Sequence, residues 1–313
     1  MTDTTGINFI QALERMLANT KNKRLVFFVV GRTGWGKSST VNSLVGKEVS
    51  KVNDYEPETA DVVGFDFKIN GVKATVFDTP GLCDGSGNDQ RYIDLIRSKV
   101  PAPDSMLYVT RLDETRSEND RRAIKIISDA LGPIVWQYAV IVFTFANNIK
   151  PSQYQDQLLR KKQIILQAIA KEIGNDNMSY RIPVIAIDNK STTTPDGKEW
   201  LGNLFTAIVE RVSKEGTIAL LAMLTEHITS RANLNTKQKE IIRRKFVDAV
   251  LQSGGAAMGI GMTVAGFLNV PIIIGFSGGG IVGTLIAGIR SINRGNSKKE
   301  GSQSRHSMVE YKA

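Results

Sequence analysis

One cysteine and two histidines are too few for two common frameworks. Cys83 has no partner for an intramolecular disulfide, and with only His227 and His306 beside it no zinc-type ligand cluster can be assembled. The opening Met1-Thr2-Asp3-Thr4-Thr5 lacks the basic-then-apolar layout of a secretory leader, so the catalytic part is expected to face the cytosol. What the chain does have is an excess of positive charge, 40 Lys and Arg against 31 Asp and Glu. A net +9 leaves nucleic acid, an acidic membrane surface or a solvated exterior open. The placement is more telling. Lys237, Lys239, Arg243, Arg244 and Lys245, then Arg290, Arg294, Lys298 and Lys299, flank one long apolar stretch. That favours a membrane surface, and no nucleic-acid partner is expected.

The segment Gly31-Arg32-Thr33-Gly34-Trp35-Gly36-Lys37-Ser38 fits a phosphate-cradling P-loop at every fixed position and follows the apolar run Leu25 to Val30. A triphosphate needs many donors aimed at clustered oxygens with no side chains in the way. Gly34 and Gly36 let the backbone curl so that successive N–H groups face the phosphates at a helix start near Lys37. Lys37 then reaches the β- and γ-phosphates and the Ser38 hydroxyl is placed for Mg²⁺, the only metal expected. The loop's candidate nucleotide contacts are Arg32, Thr33, Gly34, Trp35, Gly36, Lys37, Ser38 and Ser39.

Strand-like runs recur at Val62 to Ile69, Ala74 to Phe77, Met106 to Thr110, Ala139 to Phe145 and Pro183 to Ile187. Helical patterns separate most of them: Lys37 to Val45, Arg91 to Lys99, Ser117 to Leu131, Gln153 to Ile173 and Trp200 to Val212. The alternation predicts an α/β domain, a doubly wound, mostly parallel sheet, with ligands at the carboxyl ends of its strands. An amphipathic helix is expected within 1–19, the nucleotide domain over 20–215, and a helical extension over 216–253, broken near Asn233-Leu234-Asn235. A polar basic tail follows at 290–313.

Asp78-Thr79-Pro80-Gly81 follows the Ala74 to Phe77 run. Paired with the P-loop, Asp78 is placed to hold the Mg²⁺ shell and the Gly81 N–H to sense the γ-phosphate. The polar stretch Lys47 to Asp61 reads as a switch loop, with Thr59 its best candidate for a second hydroxyl on Mg²⁺; only their helix and strand positions exclude Thr40 and Thr75. Lys37, Thr59 and Gly81 are thus the candidate catalytic set, and Ser38, Thr59 and Asp78 the metal set.

Three segments together carry a family resemblance: Gly31 to Ser39, Asp78 to Asp84, and Arg111-Leu112 with Thr115 to Asp120. They resemble the immunity-associated GTPases, similar in their GTPase domain to the septins and the chloroplast import receptor GTPases. The likeness covers about residues 20 to 215. It implies a P-loop GTPase fold, GTP, GDP and Mg²⁺ as ligands, and GTP-dependent homodimerisation or assembly across the nucleotide face, often on membranes.

Two departures qualify this. Guanine selection in the superfamily commonly uses a carboxylate after the strand ending here at Phe145, but the chain offers Asn147 and Asn148, with Asn148 where the acid is sought. An amide accepts only through its oxygen, so discrimination against adenine weakens. Asn189 resembles the second base-side residue. Leu82 stands where small GTPases carry a water-orienting glutamine, which implies slow intrinsic hydrolysis and acceleration from a partner subunit, with Arg111 and Arg116 as possible trans-acting groups.

No charged residue occurs from Ala249 to Ile289. Gly254 to Leu268 and Ile272 to Ile289 span about 22 and 27 Å as helices, against a hydrocarbon core of about 30 Å, so a glycine-rich hairpin over 254–289 is expected to dip into or cross a membrane from its cytoplasmic face. A buried hairpin or a self-association segment stays open. So do two other functions: a nucleotide-gated assembly protein with negligible hydrolysis, and an ATP-using P-loop enzyme.

Overall fold

Leu25 to Val30 is apolar at every position and at most 7% exposed, the signature of a strand covered on both faces. It is the third strand of a six-stranded sheet. The structure is a computed structural model that describes residues 24–32, 34–48, 63–69, 72–78, 89–114 and 117–252. The strands are β1 (Arg24–Val30), β2 (Val63–Ile69), β3 (Val72–Asp78), β4 (Ser105–Arg111), β5 (Ala139–Thr144) and β6 (Val184–Ala186), in spatial order β2-β3-β1-β4-β5-β6. All neighbours pair parallel except β2 with β3. β2 accordingly reads differently: Phe65 and Phe67 turn inward, half-buried, between exposed Gly64, Asp66 and Lys68, as one-sided edge strands do.

The helices are α1 (Lys37–Val45), α2 (Asp89–Lys99), α3 (Glu118–Leu131), α4 (Pro151–Ile173), α5 (Asp176–Tyr180), α6 (Leu201–Arg211), α7 (Thr217–Arg231) and α8 (Thr236–Gln252). Their ends follow local chemistry. α4 opens on Pro151 and closes at Gly174, whose left-handed backbone donates its N–H to Ala170 O. α8 opens on a reciprocal cap: Asn235 Oδ1 accepts from Gln238 N at 3.0 Å, and Gln238 Oε1 from Asn235 N at 2.8 Å.

On one face of the sheet Val26, Phe28, Val30, Tyr108, Ile141 and Phe143 pack under α2, α3 and α4. On the other, α6 lies against β5 and β6, and α7 against β1, β3 and α1. The doubly wound, mostly parallel architecture is as expected, and the break after Arg231 falls where the Asn233 to Asn235 signal lies. Three short elements escaped the sequence reading: 3-10 turns at Pro133–Tyr138 and Ala146–Asn148, and α5. β5 also stops one residue early, because Phe145 adopts φ 56°.

One buried ion pair stitches this core. Lys161 Nζ on α4 lies 2.7 Å from Asp120 Oδ2 on α3, both nearly without solvent contact, while Tyr108 Oη donates to Asp120 Oδ1 at 2.8 Å. The other tie is Asp104, which accepts from Val26 N at 2.8 Å and from the Ser213 hydroxyl. Burial raises the Asp104 carboxyl against the lowering effect of those bonds.

The helix expected within 1–19, most of the Lys47 to Asp61 loop, the hairpin at 254–289 and the tail at 290–313 lie outside the described residues. Among the described residues, no helix is long and apolar enough to cross a membrane.

Candidate functional site

Because β1, β3, β4, β5 and β6 run parallel, their carboxyl ends open on the same side, and every described candidate residue sits there. At the phosphate end, β1 runs into Gly31, where an added Cβ would come within 2.1 Å of Val109 O, so only glycine fits so close to β4. Gly34 and Gly36 hold φ of 76° and 83°, and nothing lies within 4 Å of where a Gly34 Cβ would stand. Gly36 caps α1 without a side-chain hydrogen bond, and α1 carries no acid in its first turn. The result is an open backbone cradle at a positive helix end, which fits a phosphate chain. Lys37, buried at the head of α1, donates from Nζ to Arg32 O at 3.1 Å. Ser38 and Ser39 follow it on the helix, half-buried.

Arg32 has partners on both sides. Its guanidinium reaches Glu114 at 3.3 Å and lies 5.5 Å from the Trp35 ring centroid, and Trp35 is itself buried. In register, Asp78 lies beside Val29 of β1, next to the start of the P-loop. Thr40 and Thr75 are accounted for: Thr40 donates to Gly36 O at 2.8 Å on α1, and Thr75 hydrogen-bonds Asp66 across the hairpin. Thr33, Thr59, Gly81, Leu82 and Arg116 lie outside the described residues. Among the described residues, no group of three or more His, Cys, Asp and Glu able to hold a metal is formed.

The base end is assembled from three strand ends. Thr144 closes β5 and donates its hydroxyl to Trp35 O at 2.8 Å, locking this end onto the P-loop. Phe145 then takes its left-handed turn, an unusual conformation for a bulky residue, and its ring lies 4.0 Å beneath the Arg111 guanidinium. Arg111 grips Asp113 with two bonds of 2.8 and 2.7 Å, and Asn148 Nδ2 donates to the same carboxylate at 2.7 Å. Burial alone would push the Asp113 carboxyl up; the bonds from Arg111 and Asn148 and the guanidinium's charge together hold it below the ordinary value.

The three base-side amides and Arg111 all have partners within the chain. The Asn148 amide is engaged by Asp113. Asn147 spends its N–H on Asp188 Oδ2 at 3.1 Å and its amide on Thr193 O at 3.1 Å. Asn189 turns toward the P-loop helix, with Nδ2 3.2 Å from Thr40 Oγ1 and Oδ1 accepting from Ser43 Oγ at 3.3 Å. Arg111, considered as a trans-acting group, is held within its own chain. Phe145, Asp113 and Asp188 were missed; the one available signal was Arg-x-Asp at a strand end, facing a second strand end rich in amides.

The AIG1 family model matches residues 23–240, which spans both ends of this site. The chain belongs to the AIG1 family. Among curated relatives of this AIG1 chain, translocase of chloroplast 34 of Arabidopsis thaliana is 29% identical over 239 residues, covering 71% of the chain and 75% of the relative. Translocase of chloroplast 34 of Pisum sativum is 29% identical over 217 residues, covering 63% of the chain and 70% of the relative. Among solved structures, Toc33 from Arabidopsis thaliana in complex with GDP and Mg²⁺ matches at TM-score 0.53 and 25% identity, over 69% of this chain and 92% of that one. The fold is therefore that of a GTPase domain of the AIG1 family.

Proposed function

We propose that this AIG1 chain is a GTP-binding switch that hydrolyses GTP slowly and resets by doing so. The observation that carries the reading is the open Gly34–Gly36 cradle at the head of α1, with Lys37 beside it and the Asp78 end of β3 in register with β1. GTP with Mg²⁺ supplies the terminal phosphoryl group that water accepts. In this reading Lys37 leaves Arg32 O for the β- and γ-phosphates, Ser38 and Asp78 hold the metal with Thr59, and the Gly81 N–H registers the γ-phosphate. At the base end Asn189 and the Phe145 ring border the P-loop, and Asn147 and Asn148 brace the pocket wall through Asp188 and Asp113 rather than reading the base edge. The recognition of guanine then rests on shape and backbone groups more than on a free carboxylate.

Assembly is the second part of the proposal. For the translocon components atToc33 and psToc159, dimerisation is described as important for GTPase activity. Leu82 leaves this chain without a glutamine to orient water, so a partner subunit across the nucleotide face is expected to raise its rate. The relatives' place at the chloroplast and the charge-free stretch after Ala249 support attachment to a membrane through 254–289 with the GTPase domain on its cytoplasmic side.

One experiment tests the core of this. Full-length protein is titrated with GTP, GDP, ATP and a non-hydrolysable GTP analogue while its mass is followed by light scattering. Tight, Mg²⁺-dependent guanine-nucleotide binding with a mass increase on the triphosphate is expected. Preference for ATP overturns the base assignment, and one mass with every ligand overturns the dimer. Release of the full chain into the soluble fraction on carbonate extraction overturns membrane insertion.

A further inference from the structure

Arg211 closes α6, Arg244 and Lys245 lie on α8, and the three cations share one patch in which the Lys245 ammonium feels both guanidinium groups. Arg211 donates from Nη2 to Trp136 O at 2.8 Å, but its Nε is buried and has no hydrogen-bond partner among the described residues. The Lys245 ammonium, half-buried, makes no hydrogen bond or ion pair with another described residue. Arg244 is exposed and comes only within 3.9 Å of Glu210. Two acids face the patch, Glu210 and Asp248, both exposed. They do not balance it. Three positive groups against two negative ones leave one positive charge over. Burial holds both the Arg211 guanidinium and the Lys245 ammonium below their ordinary values, and at each the acids restore only part of what burial removes.

We propose that Arg211, Arg244 and Lys245 form a site for the phosphate group of an anionic phospholipid, separate from the P-loop. A phosphate brings negative charge and several acceptor oxygens to donors that have lost their water, which is what both half-buried cations lack. Arg211, anchored on Trp136 O, offers a fixed planar fork, Lys245 a compact charge, and Arg244 the reach of an exposed side chain. Two features favour a lipid over free phosphate. Lys245 stands about 10 Å of helix before Gln252, the end of α8, and the charge-free stretch already begins at Ala249. The turn that anchors Arg211 also carries Ile134, which is 60% exposed and one of three exposed large apolar side chains among the described residues. The choice of a lipid rests on the membrane attachment proposed above; the phosphate site does not.

The test uses full-length protein in neutral detergent with GDP and Mg²⁺ saturating, so that the P-loop is filled. Short-chain phosphatidylglycerol, short-chain phosphatidylcholine and inorganic phosphate are titrated separately by calorimetry. Phosphatidylglycerol is expected to bind about tenfold more tightly than either of the others, since choline neutralises its own phosphate. Lys245→Gln and Arg244→Gln should each weaken it about tenfold, and Lys237→Gln, about 12 Å away along α8, less than about twofold. Lys245→Gln removes a half-buried cation, so it should melt no lower than the parent, which separates loss of a ligand group from loss of fold. In NMR of methylated lysines, the lowered Lys245 value should move up toward the ordinary one as the lipid binds. No binding of phosphatidylglycerol, equal affinity for the two lipids, equal losses from Lys237→Gln and Lys245→Gln, or an unmoved Lys245 signal overturns the site. Inorganic phosphate binding as tightly as phosphatidylglycerol overturns the lipid assignment. Because the lipid is added in detergent, this titration reads the site whether or not carbonate extraction upholds membrane insertion.

Discussion

The phosphate end and the base end of the site are built in different ways. From Gly31 to Thr40 the phosphate end is one continuous stretch, and its shape follows from glycine backbone freedom and the start of α1. At the base end, no three contacting residues are neighbours in sequence: Asn148 meets Asp113 across 35 positions, Asn147 meets Asp188 across 41, and Asn189 meets Thr40 across 149. Local motifs tolerate changes elsewhere in the fold. A pocket made of distant strand ends inherits every weakness of the sheet and helices that hold them.

The largest effect should come from the pair beneath the base end. Lys161→Met leaves Asp120 buried without its cation and removes the bond from Lys161 Nζ to Glu114 O at 3.2 Å. A loss of about 3–5 kcal/mol in urea unfolding is expected, with guanine-over-adenine preference falling faster than phosphate affinity. Equal losses of both would break the distinction between the two ends. Lys37→Ala is the counterpart at the phosphate end: triphosphate affinity in calorimetry should fall about a hundredfold, or ~2.7 kcal/mol, with the unfolding midpoint little changed.

Gly36→Ala touches both ends at once. Its φ of 83° disfavours any Cβ, and the added carbon would stand 3.2 Å from Asn189 Nδ2. About 1–2 kcal/mol of stability should be lost, with weaker nucleotide binding, because the cradle itself must shift. The smallest effect concerns Asn148→Asp, the substitution that restores the usual acid. It sets a second carboxylate against Asp113, so it should cost about 1 kcal/mol at neutral pH instead of sharpening guanine choice. The sign with pH is specific. Asp113 is held below its ordinary value, so in the parent its contribution is present above the ordinary carboxylate range and is lost as pH falls through the lowered value. In Asn148→Asp that acid-side loss should shrink but persist, because Arg111 still holds the Asp113 carboxylate, and thermal melts between neutral and acid pH would read the difference.

Much of the fold was legible because buried parallel strands announce themselves as apolar runs, and amphipathic helices between them repeat with helical spacing. α1 ran from Lys37 to Val45 as expected, since the P-loop supplies its start and Gly46 its left-handed stop. The elements that escaped had no such period. Pro133–Tyr138 is a tight turn whose Trp136 is buried through a bond to Ser128 Oγ at 2.9 Å, a contact no local pattern announces. At the site, the Asp113 latch was invisible because Arg111, Asp113 and Asn148 look like solvated polar residues until β4 and β5 lie side by side.

Sequence by itself determined the sheet, the P-loop and the missing base-side acid, because backbone propensity, hydrophobic periodicity and glycine placement act over a few neighbouring residues. Only the tertiary structure decided that Asn148 is tied to Asp113, that Asn147 reaches Asp188 and that Asn189 reaches Thr40. Those outcomes depend on which strand ends meet, and a hydrogen bond between residues far apart in the chain leaves no mark on the composition or spacing of either.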